Sequence, residues 1–97
     1  MNRHNKFSED DIDQATRFAN RMRHAIRSPQ RWAEIVAGAK AVYAVTGLTR
    51  APPEDEVELL AAAFLVARHC SRLLPEGDPT RVEAEALLDR LGRSLCP

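Results

Sequence analysis

The chain has few of the residues from which small proteins build chemical sites. Of 97 residues, three are histidine and two are cysteine. His4, His24 and His69 lie far apart in sequence. His69 and Cys70 adjoin, but neighbours on a helix point about 100° apart. No spacing matches a zinc set or the inward Glu-x-x-His of a di-metal bundle, so no metal site is expected. The four glycines are scattered and form no phosphate-cradling loop. Cys70 and Cys96 make no disulfide framework and are read as reduced thiols. Cys70 falls on the apolar side of a helix, where a core role accounts for it. The acids Asp10, Asp11, Glu54, Asp55 and Glu56 stand at expected helix starts, where the helix dipole explains them. No catalytic residue is named: the chain is expected to be no enzyme and to need no cofactor.

Long apolar runs are also missing. The longest, Leu59–Ala67, is too short to cross a bilayer. Arg3, His4 and Lys6 have no apolar stretch behind them, so no secretory signal is expected. There is no alternating run of β-branched residues to mark a strand. These absences lead to the expectation of a cytoplasmic, membrane-free, all-helical protein.

What is present is a globular composition, 44% apolar and 29% charged. Residues 1–7 read as a flexible N-terminal tail and 8–97 as a single helical domain. The first helix is announced by Ser8 as N-cap, with Phe7 and Ile12 placed as a hydrophobic staple. Ile12, Ala15, Phe18, Ala19, Met22 and Ile26 then form one stripe. Ser28-Pro29 restarts the chain at a sharp corner. The second helix carries Trp32, Ile35, Val36, Ala39, Val42 and Tyr43. Gly47 is expected to close it in a left-handed cap, with Leu48 folding back on Tyr43.

After a linker over Thr49–Pro53, stiffened by Pro52 and Pro53, a third helix is expected from about Glu54 to Leu74. It is apolar on most of its circumference, with Phe64 in the core; Glu58, Arg68, His69 and Arg72 give it a narrow polar side, on which Leu65 falls. It has more apolar surface than three short neighbours obviously cover. Asp78 before Pro79, or Thr80 with Glu83, caps a fourth helix striped by Ala84, Leu87, Leu88, Leu91 and Leu95. The fold expected is all-α, a compact four-helix bundle, antiparallel-leaning, with the third helix central.

The strongest functional signal is a charge split inside a neutral total. Residues 1–50 carry nine basic side chains against five acids, and residues 51–97 five against nine. Arg17, Arg21, Arg23, Arg27 and Arg31 follow one another with no acid between them. With no acid between them they are too closely spaced to be fully neutralised along their own helix, so their partners are sought elsewhere: on helix three or four, on a second subunit or on a target. Guanidinium forks bind carboxylates and phosphates in pairs of hydrogen bonds. The row is either a solvated face answered by nearby acids or a binding face. Helix four carries Glu83, Glu85 and Asp89 outward, which nucleic-acid phosphates would repel. No aromatics interleave the arginines, as a single-strand platform needs.

The expectation is therefore a small non-catalytic binding or regulatory protein that docks on a larger protein through these five arginines. A phage- or plasmid-type accessory inhibitor or adaptor fits the size. A homodimer is expected from the opposed charges. The alternative is an anion, nucleotide or nucleic-acid binder using the same arginines.

Overall fold

Four side-chain caps set where the helices begin. Ser8 Oγ accepts from the Asp11 N–H at 3.1 Å, and Ser28 Oγ from that of Arg31 at 3.3 Å. Asp55 Oδ1 accepts from Val57 and Glu58, at 2.7 and 3.3 Å. Asp78 Oδ1 accepts from Thr80 at 2.9 Å. The computed structural model describes residues 7–46 and 53–95, with side chains to 93. It contains α1 (Glu9–Ala25), α2 (Pro29–Val45), α3 (Glu56–Leu73) and α4 (Pro79–Leu95), and no strand among the described residues. The protein is an all-α four-helix bundle.

The third helix starts two residues later than its sequence indicated. Asp55 satisfies two of the orphan N–H groups, which Glu54 as a first helical residue would not allow. At its far end, the Leu74 N–H donates to Cys70 O at 2.9 Å and Leu74 turns extended. Of the two caps open to α4, Asp78 is the one used. Gly77 takes φ +88°, the left-handed conformation that a side chain would strain. Arg81 then donates from Nη1 to Leu74 O at 2.7 Å, which ties the start of α4 to the end of α3.

The expected stripes form the core: Ala15, Ala19 and Met22 from α1, Ile35, Val36, Ala39 and Val42 from α2, and Ala84, Leu87 and Leu91 from α4. The helices that carry them all pack against α3. The central position expected of the third helix is observed. By contrast α1 and α2, consecutive in the chain, share almost no packing surface.

Two expectations about α3 are corrected. Leu65 is not on the polar side but 7% exposed. It lines a small cavity with Phe7, Asp11, Arg68, His69 and Arg72, because α1 packs over that flank. Phe64 is only half-buried, its ring stacked on Phe18 with centroids 4.6 Å apart. The fully enclosed large side chains of α3 are Leu59 and Leu60. The apolar surplus is correspondingly small: among the described residues only Val45, Leu73 and Val82 are large, apolar and exposed.

The Gly47 cap, the Leu48 fold-back, the linker up to Pro52, Leu95, Cys96 and the tail over residues 1–6 lie outside the described residues or side chains. Phe7 is half-buried, edge-on to the His69 ring at 5.5 Å.

Candidate functional site

Helix α1 opens with Glu9, Asp10 and Asp11 and closes with Arg23 and His24. This order suits the dipole, so acids and bases separate along the helix. Arg17 Nη2 lies 2.9 Å from Asp13 Oδ2, one turn back, and both groups are exposed. Arg17 is the one member of the row with an ion pair on its own helix among the described residues. The acid lies just upstream of the row rather than within it. Such an exposed pair contributes about 0.2–1 kcal/mol.

Arg21, Arg23, Arg27 and Arg31 are exposed, and no ion pair reaches them among the described residues. They do not form one patch. Arg21 shares the outer face with Arg17. Arg23, two residues on, lies about 160° around the helix by the 3.6-residue period. Arg27 falls in the corner between α1 and α2, and Arg31 in the first turn of α2.

Arg31 instead joins two arginines that the sequence did not single out. The start of α2 and the end of α4 enclose an open cleft of about 450 Å³. Its lining is Ser28, Gln30, Arg31, Glu34 and Ile35 on one side and Arg90 and Arg93 on the other. Three guanidiniums and the Glu34 carboxylate line it. Arg93 also pairs with Asp89 through Nη2, and both are exposed. Arg90 lies across Gly38: a methyl group built on that glycine would stand 2.7 Å from Arg90 Nη1.

This cleft was hidden in the sequence because the outward acids Glu83, Glu85 and Asp89 dominate the reading of α4. The signal available was Arg90 and Arg93 at i, i+3 spacing, which places them on one face. What that face meets depends on α4 crossing α2, a tertiary fact.

The remaining chemistry is sparse. Cys70 is half-buried against the core, and its thiol pKa is raised, first by burial and second by the Asp78 carboxylate. Among the described residues no group of three or more His, Cys, Asp or Glu side chains is placed to hold a metal ion. No described helix is long and apolar enough to cross a membrane. The chain matches no family model, no curated protein and no solved structure.

Proposed function

We propose that this chain is a small non-catalytic binding protein, acting in the cytoplasm, that docks on a larger protein with an acidic surface. The observation that carries this reading is the exposure of Arg21, Arg23 and Arg27 with no carboxylate partner among the described residues. Arg17 and Arg31 flank these three in sequence. Guanidiniums left open in this way favour fast encounter with a complementary acidic face. Regulatory action as an accessory inhibitor or adaptor, of phage or plasmid type, and self-association as a homodimer belong to the same proposal. It includes no metal and no cofactor.

The test is charge reversal. Arg21→Glu with Arg27→Glu should abolish capture of the partner that the unaltered chain retains, while the melting temperature stays nearly the same, because exposed charges contribute little to stability. Unchanged capture by a folded double variant would reject the arginine face as the docking surface.

A second reading, an anion or nucleotide binder, has its own support in the cleft where Arg31 meets Arg90 and Arg93.

A further inference from the structure

We infer that α1 is an exchangeable helix: α1 of one copy docks on the body of a second copy, which returns its own α1, and the two close into a dimer. Exchange rests on the self-association proposed above. It goes further, because a homodimer joined only at its surface leaves every α1 on its own body, and the two forms differ in contacts that can be read.

Three observations carry it. First, α1 is joined to α2 by the chain alone. It packs on α3 and more lightly on α4 and scarcely touches α2, whereas α2, α3 and α4 pack on one another. Among the described residues no side-chain hydrogen bond or ion pair links α1 to α2. The body that holds α1 therefore does so without help from the helix to which α1 is tethered. An α1 from another copy finds the same seat.

Second, the linker is short and neither helix depends on it. It comprises residues 26–28. Ile26 and Ser28 are both extended, at φ −88°, ψ 110° and φ −83°, ψ 119°. The Ile26 N–H donates back to Met22 O, within α1, while Ser28 O and Oγ accept from Trp32 and Arg31, within α2. Each helix thus keeps its own cap when the linker is redirected. Arg27 between them is exposed, with no ion pair among the described residues. Pro29 disfavours the helical conformation at Ser28, so opening the linker does not fuse α1 and α2 into one helix. Short connections of this kind favour exchange of identical elements between copies.

Third, the seat of α1 is apolar and needs no new complementarity. Ala15, Ala19 and Met22 are buried, and Ile12, Phe18 and Ile26 pack against the core. The Phe18 ring stacks on Phe64, and Phe7, just ahead of α1, stands edge-on to His69. A second copy's α1 makes the same contacts, so chain concentration and the linker set the balance between the two forms. An exchanged dimer carries two arginine-bearing helices on one particle and can hold an acidic partner at two points.

The experiment uses the full chain without substitution. Equal amounts of isotope-labelled and unlabelled chain are unfolded together, refolded at high concentration and separated by mass. In the fraction of twice 10.8 kDa, an isotope-filtered nuclear Overhauser spectrum should show the Phe18 ring of one copy against the Phe64 ring of the other. A dimer in which that contact stays within one copy would overturn exchange and leave a surface homodimer standing. Monomer at every concentration would overturn exchange and homodimer together, while docking on an acidic partner is decided separately by capture with the Arg21→Glu, Arg27→Glu variant. Three glycines inserted after Arg27 give α1 slack to fold back on its own body, so most of the signal between copies should be lost. A signal that the insertion leaves unchanged would overturn the role of the linker.

Discussion

Arg90 of α4 lies over Gly38 of α2, so close that a single added methyl on the glycine would meet its Nη1 at 2.7 Å. The glycine is therefore the seat of an arginine rather than a weak point left in a helix. Only the mobile end of the Arg90 side chain is in the way, while Leu87 Cδ1 is at an ordinary 3.8 Å.

Gly38→Ala should for that reason stabilise the fold. Alanine is preferred over glycine inside a helix by about 0.8–1 kcal/mol. The guanidinium can swing aside at small cost. Chemical denaturation should show a higher midpoint with an unchanged slope. A lower midpoint would mean that Arg90 holds its place by contacts stronger than the propensity gain.

In the core, Leu60→Ala should be costlier than Phe64→Ala. Leu60 is 1% exposed, and truncating such a side chain costs about 2–5 kcal/mol. Phe64 is half-buried, and its loss removes mainly the stack on Phe18, worth about 0.5–1.5 kcal/mol beyond the area buried. Equilibrium unfolding of both variants checks the order. The reverse order would make the Phe18–Phe64 stack the centre of the core.

Alkaline pH should expose the state of Cys70. Its folded pKa is raised above its unfolded value, so folding favours the protonated thiol. The stabilisation is fully present below the unfolded pKa and is lost as pH rises through the folded one. In a Cys96→Ser background, thiolate absorbance should titrate at higher pH in the folded chain than in denaturant. Asp78→Asn should lower the folded value. Asparagine still caps α4, so the change isolates the carboxylate charge. Equal titration with and without denaturant would contradict the burial of the thiol.

Self-association should give a mass above 10.8 kDa by light scattering on a sizing column. With α3 mostly covered, Leu73, 66% exposed, is the side chain to change first. Leu73→Lys should return a dimer to monomer. A monomer at high micromolar concentration without any substitution would refute the dimer.

How much of this was legible before the structure follows from the range of each interaction. Ser8, Ser28 and the stripes of α1, α2 and α4 act within one helix, and their spacing announces them. Leu65 was misplaced because a central helix is buried around most of its circumference, so a single stripe no longer sorts its residues. The arginines divided in the same way. Arg17 and Asp13 meet at i, i+4 and were within reach of sequence reasoning. Arg31 meets Arg90 and Arg93 only because α4 crosses α2, which no local pattern encodes.

The near-absence of packing between α1 and α2 has a consequence for the order in which the chain acquires structure. Sequential helices commonly pair first and offer each other an early core. Here Met22 and Ile35 are buried although their helices hardly touch, so a nascent chain that ends before α3 lacks the helix against which both α1 and α2 pack. Isolated helices of this length are marginal in water. Synthesis must therefore run past residue 73 before the first half can hold its shape, and the last helices made are the ones that fix the first.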